Sequence, residues 1–470
     1  MIRAYDVRRD RRRHPLGDAQ VVAIALAAVV GVWTQSIVWV AVVAAASLPV
    51  DRRGAGMVAC MLAGLAGGWR SQGSWEAATP RLLGEYSGWV TIAGDPAPYG
   101  NGMRVTLEVD GQRFDAWVYG SPRRRLVDRQ TGELVYVQGE RRSMTSNVRR
   151  AQIRHVVGRF DVVVVGDWRE GSPLYRTSSR VRTALRGAAE STMGVDDAAL
   201  FTGLVIGDDA RQPAEMVSAF RSSGLSHLTA VSGQNVAFVV VAASPLLRRL
   251  RPWWRWAATL GLIAWFMALT RFEPSVLRAG CMAMLATSSF VVGRSQSVVR
   301  LLALAVTILV LVDPMLVWSV GFWLSTGATA GVCVVAPPLA ERIPGPLWLR
   351  APLSVTLGAQ LGVVLPSWLV FHRLPLVSLP ANLLAVPVAG FVMLFGIPAG
   401  LFSAVLPSLA PLVMAPCVAG TRWVATVAYL AAGVEPSPGF AALGWLTVVA
   451  CVCALMIRHH WRSSPDDVPI

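Results

Sequence analysis

The apolar residues of this chain come in long runs rather than at helical or strand spacing, and that pattern belongs to bilayer spans. Charged residues make up 15% of the 470 and apolar ones 54%, against about one-quarter charged in soluble domains. The stretch 19–48 is apolar except at Thr34-Gln35-Ser36. It is too long for one helix of about 20 residues, so two short helices are expected, with a third apolar stretch ending at Trp69.

Arginine placement orients the spans. The cluster Arg8–Arg13 belongs on the cytoplasmic side, and so do Arg52 and Arg53. Both sit there only if an even number of crossings separates them. Three crossings within 19–70 then place the next segment outside. The basic residues 1–18 resemble the start of a signal peptide, but the many later spans point to an uncleaved cytoplasmic N-terminus.

Segment 80–168 breaks the apolar pattern. "GWVTIAGD", "GMRVTLEVDGQRFDAWVYG", "GELVYVQGE" and "IRHVVGRFDVVVVGDW" have strand lengths and are separated by turns such as Asp110-Gly111 and Thr131-Gly132. Some five short strands in so few residues predict a small extracytoplasmic β-barrel of OB-like type. From 178 to 457 helical, apolar segments return, nine of them long enough to span or nearly span. The intervening arginines alternate in side and leave the tail 458–470 cytoplasmic. The expected fold is therefore an α-helical polytopic membrane protein of about twelve spans with one inserted barrel.

All 43 basic residues are arginine, giving a net charge of +15. Without lysine there is neither a P-loop nor a Schiff base in this sequence, so ATP energy would come through another chain. The six cysteines fall in apolar stretches and read as packing residues, with no disulfide framework, metal site or cofactor expected. The 18 tryptophans, several of them near span ends (Trp253, Trp254, Trp256 and Trp461), read mainly as an interfacial belt.

The informative stretch is "LFTGLVIGDDARQPAEMVSAFRSSGLSHLTAVSGQNVAFVV", residues 200–240. It sets Asp208, Arg221, His227, Ser232, Gln234 and Asn235 against or inside apolar sequence. A central charge costs about 2.5–3.5 kcal/mol on insertion scales, so such groups face a bundle interior or an aqueous cavity. Gly224 and Gly233 allow close packing or a broken helix. The residues alone indicate a pathway or binding site without naming its substrate.

Residues 203–238 closely resemble the signature of the ComEC-type competence proteins, the inner-membrane DNA channels of natural transformation. "SVLRAGCMAML" around Arg278, "DPMLVWSVGFWLSTGATAGV" and "SLPANLLAVPVAG" resemble further blocks of that family, in the same order. The resemblance implies a channel for single-stranded DNA in the cell membrane, in contact with lipid. It would work with a DNA receptor protein and a cytosolic helicase-like ATPase, and with a second copy of the chain. It implies a DNA pathway through Asp208, Arg221, His227, Ser232, Gln234, Asn235 and Arg278. The family often has histidine where this sequence has Asn235, so no titrating or metal-binding role is carried over there. Many members end in a metallo-β-lactamase-like domain. No His-x-His-x-Asp-His run follows the last span before Ile470, so no nuclease or other enzyme activity is expected.

Each assignment has a plainer counterpart. His227 contacts substrate or is hydrogen-bonded inside a bundle; "GDD" lines a mouth or makes a loop and helix cap. Arg221 and Arg278 meet phosphates or pair with carboxylates, and Gln234 and Asn235 touch a strand or fix a helix crossing. In the barrel, Arg123, Arg124, Arg125, Arg141, Arg142, Arg149, Arg150 and Arg154 are candidate phosphate contacts. Trp89, Trp117, Tyr119 and Tyr136 are candidate stacking platforms or core. Thirteen arginines against ten acids between 81 and 168 make that field weak. A transporter or flippase for a small or lipid-linked solute fits broken polar spans equally well. An intramembrane hydrolase lacks grouped ligands, with six histidines and no His-Glu-x-x-His.

Overall fold

Helix follows wherever apolar residues run without strand punctuation, and the chain is mostly helical. The computed structural model describes residues 17–47, 53–229, 233–294 and 296–462. Ser232, Arg52, residues 1–16 and the end of the tail lie outside the described residues. Two units form, Met1–Thr183 with Val239–Ser319 and Ala184–Phe238 with Val320–Ile470.

In the first unit the long N-terminal run is two helices, Asp18–Thr34 and Ile37–Ser47, followed by Arg53–Ala77. The break falls at Gln35, whose φ of 52° is left-handed and whose N–H closes on the Gly31 carbonyl. Ala23, Ala27, Val40, Ala44 and Cys60 form the seam between these helices. Small residues there let backbones touch: a side chain at Gly31 would strike the Gly64 carbonyl.

The strands β1 (Gly84–Tyr99), β2 (Gly102–Val109), β3 (Gln112–Val118), β4 (Leu134–Ser143) and β5 (Val156–Arg169) close a barrel in the order β1-β2-β3-β5-β4. Only β3 and β5 pair in parallel. Register shifts around Gly94 bend β1 so that it pairs with β2 along one half and β4 along the other. Alternation sends Val90, Ile92, Val105, Leu107, Phe114 and Phe160 inward among the core residues. Trp89, Trp117 and Tyr136 take the opposite parity and lie half-exposed on the outside, not in the barrel core.

Asp95, at the bend of β1, ties the barrel to the helices of its unit. Its carboxylate accepts from Arg271 Nε at 3.0 Å and Nη2 at 2.9 Å, and from Thr131 N and Oγ1 at 2.8 and 2.7 Å. Arg182 Nη2 lies 3.2 Å away and its Nη1 donates to the Leu269 carbonyl. Burial would push the Asp95 carboxyl up, but the guanidiniums of Arg182 and Arg271 outweigh it and hold it well below the usual range.

The second unit carries the longest apolar helices. Leu347–Phe371, Ser378–Val405 and Pro407–Val434 are long and apolar enough to cross a membrane. Val320–Val334 and Ala336–Arg342 together make a fourth if counted as one span bent by 43°. A 25-residue helix is about 38 Å long, more than the roughly 30 Å hydrocarbon core. Leu347, Trp348, Leu365, Trp368, Leu412 and Leu430 are exposed on these helices, which water would penalise and lipid would not. Among the described residues three helices, or four with the bent pair counted as one, are thus long and apolar enough to cross, and the expected twelve or so spans are not shown. Other apolar helices, such as Asp18–Thr34, Gly233–Leu247 and Val298–Val312, have 10–17 residues. The break at Gln35 falls at the Thr34-Gln35-Ser36 interruption of the apolar run, and the 3-10 turn Pro314–Trp318 separates Val298–Val312 from Val320–Val334.

Candidate functional site

The polar stretch singled out in the sequence folds as a series of short helices within the second unit. Val195–Ile206 begins with Asp196 and Asp197, where the helix dipole favours acids, and ends at Gly207 with φ 68°. Gly207 N–H bonds back to Gly203 and Asp208 N–H to Thr202, a left-handed C-cap that turns the chain sharply. The turn buries Asp208 beside Arg186 at 2.5 Å. Asp208 is therefore held in an ion pair and is not a lone charge at a mouth. Arg211 pairs with Glu190 and Arg422 with Asp197.

Helix Ala214–Ser222 follows, capped by a second left-handed glycine, Gly224 at φ 73°. Leu225 N–H closes the cap on the Phe220 carbonyl. A Cβ on Gly224 would sit 2.5 Å from the Ser378 Cβ, so this turn packs directly on the start of Ser378–Val405. There Asn382 is buried and donates to the Ser378 carbonyl at 2.6 Å. Gly390, Gly396 and Gly400 on the same helix receive Phe238, Phe201 with Val205, and Leu185. Gly224→Ala combines left-handed strain with a steric clash, and is expected to cost about 2 kcal/mol. Thermal unfolding of the purified variant measures it; an unchanged midpoint would contradict the close approach.

Arg221, His227 and Gln234 are exposed, whereas Asn235 is buried and donates to the Leu204 carbonyl at 3.3 Å. His227 Nδ1 lies 3.3 Å from the Gly224 carbonyl. No carboxylate pairs with Arg221 among the described residues. The structure thus brings Asp208, Arg221, His227, Gln234 and Asn235 into one unit, Asp208 in a turn and the others on the short helices that follow it. Arg278 is buried in helix Pro274–Val291 of the other unit, its Nη1 3.4 Å from Met282 Sδ. Arg186, Ser378 and Asn382 were not singled out in the sequence. Asn382 sits four residues from Ser378 on one helix face inside an apolar run, which is a legible sign of a buried polar contact.

On the barrel, most of the candidate arginines are engaged at home. Arg141 pairs with Asp110, Arg142 with Glu140 and Asp161, and Arg154 joins Arg104 on the buried carboxylate of Asp115. Arg123 and Arg125 donate to the carbonyls of Asn101 and Val165. Arg149 lies 4.6 Å over the ring of Trp318. Arg124 and Arg150 are exposed and carry no ion pair among the described residues. The aromatics also have cationic neighbours: Arg169 lies over Trp89, and Arg159 over Trp117. Among the described residues no three His, Cys, Asp or Glu side chains are grouped to hold a metal.

Residues 204–462 match the family model described as "Competence protein". The chain is 29% identical over 275 residues to the uncharacterized protein YcaI of Escherichia coli (strain K12), covering 54% of this chain and 34% of that one. It is 26% identical over 250 residues to ComE operon protein 3 of Bacillus subtilis (strain 168), covering 53% and 32%. With competence protein ComA of Neisseria gonorrhoeae it shares 29% over 290 residues, covering 57% and 39%. The chain thus spans about a third of the length of these curated relatives. No solved structure matches it.

Proposed function

Because the chain belongs to the competence protein family, we propose that it is a multi-pass protein of the cell membrane through which single-stranded DNA enters the cytoplasm during natural transformation. The observation that carries this reading is the set of exposed polar side chains, Arg221, His227 and Gln234, on short broken helices inside the matched region. A DNA strand has one phosphate charge per nucleotide. A route offering one unpaired guanidinium and a few neutral hydrogen-bonding groups replaces hydration without holding any nucleotide tightly.

In this reading both termini face the cytoplasm, the shorter apolar helices complete the crossings, and the barrel is an OB-type domain on the outer side. Its closed five-strand order and its outward Trp89 and Trp117 with Arg169 and Arg159 suit a strand-handling surface. The chain acts as a conduit rather than an enzyme. A receptor protein delivers the strand, a helicase-like ATPase pulls it, and a second copy completes the assembly.

Arg221→Ala is expected to lower transformation frequency about 10- to 100-fold, the weight of one or two charge-assisted contacts, while DNA still binds the cell surface. Alanine at Gln234 and Asn235 together should do the same. Unchanged frequencies would remove this site. Normal uptake of labelled DNA in a deletion strain with altered lipid or solute content would favour a transporter or flippase.

A further inference from the structure

In the first unit a cavity of about 480 Å³ opens between the end of helix Gly233–Leu247, the start of Pro252–Leu269 and the end of Pro274–Val291. Its lining is of two kinds. Val240, Leu247, Phe290 and Val291 make an aliphatic and aromatic wall, and Arg248 and Arg255 add two cations to the lining. Both arginines are exposed, as are Arg249 and Arg251 beside them, and among the described residues no carboxylate pairs with any of the four. Four guanidiniums within eight residues thus meet an apolar cleft without local neutralisation.

The surroundings place this cleft at a bilayer surface. Trp253 and Trp254 are exposed on the first turn of Pro252–Leu269, and Trp256 stacks near Trp253 with ring centroids 4.6 Å apart. Its indole N–H donates to Ser288 Oγ at 3.2 Å, which fixes the ring over the cavity. Amphipathic rings beside arginines mark the headgroup level. The hydroxyls of Thr259 and Thr287 are already given to the carbonyls of Arg255 and Ala283. The polar contacts left for a ligand are therefore two cations and Ser244, next to hydrocarbon.

We infer that this cavity binds the headgroup and first acyl carbons of an anionic phospholipid, such as phosphatidylglycerol or cardiolipin, with the phosphate between Arg248 and Arg255. Charge complementarity selects an anion, and the apolar wall selects one that carries acyl chains. A nucleic acid strand would use the arginines but leave the aliphatic wall facing phosphate and sugar. The inference requires that the chain sit in a bilayer and does not require that it conduct DNA.

The test is native mass spectrometry of the full-length protein in detergent, titrated with phosphatidylglycerol or, in parallel, phosphatidylcholine. Wild type should retain phosphatidylglycerol preferentially, and Arg248→Gln with Arg255→Gln should weaken retention about tenfold or more. Arg249→Gln, outside the cavity lining, should leave it unchanged. Ala286→Trp, which fills the cavity with both arginines in place, should also expel the lipid. Equal retention of the two lipids by wild type would overturn the assignment without any variant having to fold. So would displacement of the bound lipid by inorganic phosphate or by a short single-stranded oligonucleotide at micromolar concentration, which would mark the cleft as a phosphate or DNA contact. Transformation frequency reads the conduit independently of the lipid site.

Discussion

Replacing Asp95 with alanine is expected to cost about 3 kcal/mol and to loosen the barrel from the helices of its own unit. Removing the carboxylate takes away a charge that Arg182, only 4% exposed in its side chain, and Arg271, 14% exposed, both face, and it removes both side-chain bonds that Arg271 makes to Asp95. Losing a largely buried, hydrogen-bonded ion pair costs far more than an exposed pair gains. Arg271 and Phe272 also hold left-handed backbone, with φ of 58° and 56°, a conformation that non-glycine residues adopt only when their surroundings enforce it. The two-pronged grip of Asp95 on Arg271 supplies that enforcement. Hydrogen exchange should therefore rise in the turn 270–273 and along β1 near Asp95, with thermal unfolding shifted downward. Alanine at Arg211, whose partner Glu190 is equally exposed, should shift it little.

The same carboxylate gives a pH signature. Its folded pKa lies below its unfolded value, so its contribution is fully present above about pH 4 and fades as the pH falls through the folded value. Wild type should lose stability on acidification below about pH 4 more steeply than Asp95→Asn, which has no such charge to lose. Equal acid profiles for the two proteins would show that Asp95 does not carry this coupling.

How much of this was written in the sequence depends on the range of the interaction. Strand alternation is local, so "GMRVTLEVDGQRFDAWVYG" yields β2 and β3 with their turn at Asp110-Gly111. The closure of β1 on β4 and the parallel β3–β5 pair join distant residues, and no local period announces them. Clusters such as Arg123-Arg124-Arg125 and Arg141-Arg142 offered candidate phosphate contacts, although thirteen arginines against ten acids already made that field weak. Cross-strand geometry instead sets Arg141 near Asp110 and both Arg104 and Arg154 on Asp115, pairings that depend on register. The polar Thr34-Gln35-Ser36 made the break between the first two helices legible, whereas the point at which a later apolar run stops being helix, as at the turn Pro314–Trp318, depends on backbone geometry that hydropathy does not register. In the candidate site, polar residues against apolar sequence marked the stretch 200–240 at once. Their sorting into paired Asp208, buried Asn235 and exposed Arg221 required the left-handed turns at Gly207 and Gly224 in three dimensions.

Gly331→Leu is expected to have the other large effect, separating two helices of the second unit. Gly327-x-x-x-Gly331 and Gly358-x-x-x-Gly362 are each spaced to put a bare backbone strip on one helix face. In the structure the strips of Val320–Val334 and Leu347–Phe371 meet face to face. A Cβ on Gly331 would strike the Gly358 carbonyl, and one on Gly362 would strike that of Gly327. Because the blocking atoms are backbone, no rotamer change relieves the clash, and the helices must part. Lipid supplies no hydrophobic drive to compensate for the lost contact, since tails solvate leucine as well as a neighbouring helix does. The cost should reach about 3 kcal/mol, read as a lower midpoint in a detergent unfolding titration. Gly433→Leu, at a helical glycine with nothing within 4 Å of its missing Cβ, controls for bulk and propensity. A Cβ on Gly358 would lie 3.1 Å from Ala336 Cβ, where the chain bends by 43° between Val320–Val334 and Ala336–Arg342, so the wedge should disturb that bend. If Gly331→Leu unfolds no more readily than Gly433→Leu, the two helices do not pack backbone to backbone in the membrane.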